Sequence, residues 1–145
     1  MDYNASLRLF LDGVKKDFPF DAAAVRILDP LDYISFAAHN DLSASFIEDE
    51  GLISINDCVC GRVIQLDPKN GLPYFTWRGS FWSNSLSEDV AWGLKNIGIN
   101  PRGRCLREGY KTLLITPIRT GNVRGEFIPG LQKRKSAYGK GCESY

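Results

Sequence analysis

A single histidine, His39, stands among the 145 residues, and that scarcity removes much of catalysis. No two-histidine zinc site or facial triad can be assembled, and any triad built on an imidazole has one candidate base. Charge of one sign is not in surplus either: eighteen Lys+Arg against seventeen Asp+Glu leave a formal net charge of +1. A dedicated nucleic-acid binder needs excess cations to displace the counterions of phosphate, so that partner is not expected. Apolar runs are short. Ala22 to Val25 and Leu113 to Ile115 are among the longest, far below the roughly 20 residues that span a bilayer. Asp2, Arg8 and Asp12 interrupt the N-terminal region where a signal peptide would place its apolar segment. No Gly-Lys-Ser or Gly-x-Gly-x-x-Gly phosphate loop occurs. The expectation is a soluble cytoplasmic protein with no membrane or nucleic-acid partner. Its four cysteines, Cys58, Cys60, Cys105 and Cys142, are then expected to stay reduced rather than form a disulfide framework.

What is present describes one globular core. The chain is of single-domain length, and 43% apolar with 24% charged residues is an ordinary folded balance. Leu7, Phe10, Leu11 and Val14 recur at three- and four-residue spacing, which predicts an amphipathic helix over Asp2 to Asp17, stopping before Phe18-Pro19. Phe20 to Leu28 and Tyr33 to Ala38 flank Asp29-Pro30 and read as a hairpin. Asp41 is the expected cap of a short helix near Ser43 to Glu48. Asn56 or Asp57 should cap a helix over Val59 to Leu66, with a strand over Leu72 to Trp77. Gly79 to Arg107 is the least regular stretch, helical only near Ser87 to Leu94. Tyr110 to Arg119 and Val123 to Leu131 form a strand pair across Thr120-Gly121-Asn122, a suitable tight turn. Residues after Gln132 carry no periodicity, so a domain over 1–134 and a frayed tail over 135–145 are expected. The order of elements predicts an α+β sandwich, a central antiparallel sheet of five to six strands flanked by helices. A long irregular segment inside such a domain suits a binding loop or lid.

Several segments occur in register with a known family: Ala24-Val25-Arg26-Ile27-Leu28-Asp29, Asp57-Cys58-Val59-Cys60-Gly61-Arg62-Val63, and Gly79-Ser80-Phe81-Trp82-Ser83-Asn84-Ser85. Arg104-Cys105, Gly109-Tyr110 and Thr116-Pro117-Ile118-Arg119 follow in order. Over roughly Met1 to Arg134 the chain resembles a GAF domain, in particular those within bacterial and archaeal PAS/GAF sensor histidine kinases. The resemblance implies a GAF/PAS-like sandwich that senses a small molecule or redox state, dimerises through its terminal helices and relays to a kinase output domain. Four departures stand out. Leu106 replaces the family's Asn after the cysteine, and Lys111-Thr112 replaces Glu-Ser. Pro129 interrupts the last strand, which must there be an edge, bulged or cut short; the closing helix is also missing.

The candidate ligand-binding residues are Cys58, Cys60, Arg62, Phe81, Trp82, Asn84, Arg104, Cys105 and Tyr110. No catalytic residue and no cofactor is assigned. Cys58, Cys60, Cys105 and His39 would make four ligands for zinc, but Cys-x-Cys is tighter than the usual spacing. Core packing of the thiols leads, with redox sensing or metal or haem ligation as alternatives. Phe81 to Ser85, with Tyr74, Phe75 and Trp77, supplies aromatic walls and polar donors for a pocket, or else pins a loop to the core. Arg102, Arg104 and Arg107 either receive an anionic ligand or pair with local acids such as Glu108. Two further functions stay open: a cysteine-dependent reductase resembling the GAF-fold methionine sulfoxide reductases, and a dimeric spacer that binds nothing.

Overall fold

The computed structural model describes residues 3–17, 20–65 and 71–133. The expected tail, the 134/135 boundary and the Phe18-Pro19 helix stop lie outside them. Helix α1 (Tyr3–Asp17) leads into strands β1 (Ala22–Leu28) and β2 (Tyr33–Asn40). Helix α2 (Ala44–Glu50), strand β3 (Leu52–Ser54) and helix α3 (Cys58–Ile64) follow. After them come β4 (Phe81–Ser83), α4 (Glu88–Asn96), α5 (Arg104–Glu108), β5 (Thr112–Thr120) and β6 (Val123–Gln132). The six strands form one antiparallel sheet in the order β3-β2-β1-β6-β5-β4. The predicted α+β sandwich is the one observed.

Alternation along the strands sends side chains to two faces. On one face Ala22, Ala24, Ile34, Phe81, Ile115, Ile128 and Leu131 pack against Phe46, Val59, Val63, Val90 and Leu94 of the helices α2, α3 and α4. On the other, Ala23, Val25 and Ala38 meet Leu11 of α1, which is wholly buried. Helix α1 therefore covers one face alone, with its Phe10 ring 5.2 Å from Phe127 of β6. Gly13 sits within α1 with nothing near the position of an added Cβ. Gly13→Ala is accordingly expected to raise stability by about 0.5–1 kcal/mol, measured as a shift in urea midpoint; a neutral or destabilising result would count against helical backbone there.

Several elements differ from expectation. Ser43, not Asp41, caps α2: its hydroxyl accepts from the Phe46 N–H at 3.2 Å, whereas Asp41 adopts a left-handed φ of 63° and pairs with Lys15. The stretch expected as a strand over Leu72 to Trp77 is a series of turns. Tyr74 has a positive φ of 69°, and the Phe75 N–H bonds to Leu72 O. A single bridge from Phe75 to Phe81 is all the pairing it makes, and the strand itself is β4. Pro129 is bulged, one of the three outcomes open to it. Two residues of β6 oppose one on each neighbour here, with register shifts between Ala22/Ala24 of β1 and between Leu114/Thr116 of β5. The strand thus keeps its place inside the sheet while losing one ladder donor.

Candidate functional site

Between the sheet and the helices α2 to α5 lies a cavity of about 70 Å³. A water needs roughly 10–15 Å³ of such space, so the volume suits a few waters or a compact organic group. Its walls are chiefly apolar: Phe36, Phe81, Leu113, Ile115 and Ile128 from the sheet, and Phe46, Val59, Val90, Leu94 and Leu106 from above. Polar residues enter at few points, namely Arg26, Glu50, Ser87, Arg104 and the three cysteines Cys58, Cys60 and Cys105. An apolar chamber with a few convergent polar groups is the general form of a small-molecule site.

Five sequence candidates meet there: Cys58, Cys60, Phe81, Arg104 and Cys105. The others are placed elsewhere. Arg62, outside the cavity lining, donates to Gln65 Oε1 at 3.2 Å. Trp82 points to the sheet face opposite Phe81, as strand alternation requires. Asn84 accepts from Thr112 Oγ1 at 2.6 Å and ties the end of β4 to β5. Tyr110 packs edge-on against Phe46 and lines an open groove with Asp21, Ser43, Glu108 and Lys133. Burial pushes its hydroxyl up to about 12. His39 stands on β2 beside Phe36, lowered by burial and by Arg8 of α1. No group of three or more His, Cys, Asp or Glu disposed to hold a metal ion occurs among the described residues.

The arginines after Asn100 pair with local acids. Arg104 Nε meets Asp49 Oδ2 and its Nη1 meets Glu108 Oε2, both at 2.7 Å. Arg102 Nε lies 2.9 Å from Glu50 Oε2, and Arg107 donates to Arg102 O at 3.1 Å. Together these contacts strap α5 and its preceding loop to α2 over the cavity. The Arg102 and Arg104 pairs raise the cost of anion capture, because a ligand would first have to displace a carboxylate.

Sequence reasoning missed the deepest charges. Arg26 on β1 and Glu126 on β6 are direct cross-strand partners and both are almost fully buried. Arg26 Nε approaches Glu126 Oε1 at 4.0 Å, while its Nη2 donates to the carbonyls of Glu50 and Ile34 and its plane lies 4.3 Å over Phe36. Neither Glu126 oxygen has a well-formed hydrogen bond among the described residues, and the Cys60 side chain lies alongside. Burial outweighs the pull of Arg26 and lifts the Glu126 carboxyl to about 8. The available signal was a charge at an inward position of an otherwise apolar strand.

The thiols differ sharply. Cys58 holds a left-handed backbone (φ 59°), and its N–H bonds to Asn100 O at 2.9 Å. The Cys60 S–H donates to its sulfur, against the opposing effect of burial, and the backbone N–H groups of Arg102, Val59 and Cys60 add to that; the Cys58 thiol is lowered to about 6. Cys60 is correspondingly pushed up, as donor to Cys58 and by burial. Burial also raises Cys105 far above the ordinary thiol range.

This geometry matches solved structures. A domain of a protein described as a two-component sensor histidine kinase from Sinorhizobium meliloti 1021 aligns with a TM-score of 0.58 and 16% identity, over 93% of this chain and 77% of that one. The GAF domain of an Acinetobacter phosphoenolpyruvate-protein phosphotransferase aligns at 0.62 and 15%, over 97% and 72%. A type II free methionine-R-sulfoxide reductase from Thermoplasma acidophilum aligns at 0.62 and 14%, over 97% and 82%. The architecture is that of the GAF fold. No protein-family model and no curated protein matches the sequence. No helix among the described residues is long and apolar enough to cross a membrane.

Proposed function

We propose that the chain is a regulatory sensory module of a signal-transduction protein, of the sensor histidine kinase kind. In this reading it holds a small, largely apolar ligand in the cavity over the sheet and relays occupancy to a kinase output domain. The observation that carries this reading is the cavity itself, apolar on most sides and roofed by short helices that ion pairs strap together. A ligand shifts a two-state equilibrium only through different affinities for the two states. The roof supplies that difference, since α2 and α5 can part only by breaking Arg104–Asp49 and Arg102–Glu50. Strand β6 carries the change across the sheet: Glu126 faces the buried charges, and its neighbour Phe127 packs on Phe10 of α1. Leu9 and Phe10 are exposed on α1, an apolar stripe suited to pairing with a second copy.

The test is a thermal-shift screen with small apolar and amphipathic compounds. A ligand at a hundredfold excess over its Kd contributes about 2.7 kcal/mol, a rise on the order of 5–10 °C. Ala91→Phe, which fills the cavity from α4, is expected to abolish the shift while the variant stays folded. A shift that survives this substitution places the ligand elsewhere. Turnover of free methionine sulfoxide with a dithiol reductant would support the reductase reading instead.

A further inference from the structure

Cys58 and Cys60 stand apart from everything a ligand cavity requires. A cavity wall needs only apolar bulk, and one buried thiol provides it. Here two thiols are hydrogen-bonded to each other, and a third sulfur, Cys105, faces the same space. Cys58 and Cys105 are partly buried as residues where Cys60 is buried, and all three line the cavity. The Cys58 backbone lies in the left-handed region, a conformation costing a non-glycine residue on the order of 1–3 kcal/mol and often found at functional positions. The backbone N–H groups of Arg102, Val59 and Cys60 also favour negative charge on the Cys58 sulfur. These donors stabilise an anion on sulfur, and the thiolate is the reactive form of cysteine. A second sulfur lies within reach. The Cys60 side chain is close enough to serve as hydrogen-bond donor to the Cys58 sulfur.

We propose that Cys58 and Cys60 are a redox couple, in which the Cys58 sulfur attacks a small hydroperoxide entering the cavity and Cys60 closes a disulfide on it. The hydroperoxide is favoured by the site's own chemistry. The chamber admits compact, weakly polar molecules and excludes bulky peptide disulfides. In the first step the Cys58 thiolate forms an S–O bond to the terminal oxygen and the O–O bond breaks. The alkoxide leaves and takes a proton from solvent, giving the alcohol and Cys58 sulfenic acid. In the second step the Cys60 sulfur attacks that sulfenic sulfur, and its proton goes with the displaced hydroxide as water. Two thiols are oxidised to one disulfide, and the hydroperoxide is reduced to alcohol and water. Cys105 takes no part, since burial keeps its thiol protonated. The couple needs no resident ligand and stands independently of the sensory reading.

The experiment treats the reduced full chain with stoichiometric hydrogen peroxide or tert-butyl hydroperoxide and maps all four cysteines by peptide mass spectrometry. The segment bearing Cys58 and Cys60 should lose the mass of two hydrogens and regain it with dithiothreitol, while Cys105 stays reduced. Cys60→Ser should halt at a Cys58 sulfenic acid that dimedone traps. Cys58→Ser should slow oxidation at Cys60 on the order of a hundredfold. In the wild-type chain the oxidation rate should rise with pH and level off with a midpoint near 6, well below an ordinary thiol at about 8.5. This last readout needs no variant to fold. A midpoint near 8.5, a disulfide to Cys105, or oxidation beginning at Cys60 would overturn the proposal.

Discussion

Gly61→Ala should cost roughly 3 kcal/mol or more of folding stability, the upper range for overpacking. A Cβ at Gly61 would stand 2.0 Å from Ile55 O and 2.6 Å from Ile55 C. Both are backbone atoms, so no rotamer change relieves the clash. Either α3 lifts off the segment after β3 or that segment moves outward, and Asp57 N–H to Ser54 O and Gln65 Nε2 to Ile55 O bind the two together there. Because α3 carries Cys58 and Cys60, the same strain should reach the cavity wall. Urea unfolding with an unchanged m-value measures the loss as a fall in midpoint. A cost below about 1 kcal/mol would mean that the close approach of α3 is not a constraint of the fold.

Glu126→Gln should make the chain more stable at alkaline pH, by several kcal/mol at pH 8. The carboxyl is lifted from its ordinary value of 4.5 to about 8 in the folded protein, because burial disfavours the anion more than Arg26 restores it. Between those values the folded state keeps the proton and the unfolded chain releases it. Stability therefore falls as pH rises through that window, by up to about 1.4 kcal/mol per unit, and levels off above about 8. Glutamine keeps the neutral shape and has no proton to lose, so its curve lacks this decline. Subtracting the two stability–pH curves removes every group the variants share. Parallel curves from pH 5 to 8 would show that Glu126 is ionised in the folded protein and fully compensated by Arg26.

Periodicity was enough for the longer elements. Leu7, Leu11 and their neighbours mark α1, and the alternation on either side of Gly121-Asn122 marks the β5–β6 hairpin. It was not enough for β3 and α5, three and five residues long, which are too short to show a repeat. Leu72 to Trp77 alternates like a strand, yet Tyr74 and Phe75 are held by packing around Phe81 rather than by a ladder. The three thiols were legible because cysteine is rare and two stand one residue apart. Their division of labour was not, since it depends on which sulfur receives the N–H of Arg102, more than forty residues downstream.

Composition and local pattern alone establish an α+β fold class, nearly balanced charge, one imidazole and a close pair of thiols. Such properties belong to neighbouring residues and need no knowledge of how the chain returns on itself. The meeting of Arg26 with Glu126, a hundred residues apart, follows instead from β1 and β6 lying side by side in a particular register. In a single strand either residue reads as a solvent-facing charge. Burial, which sets Arg26 beside a carboxyl that holds its proton up to about 8, is a property of the assembled sheet and its helical cover.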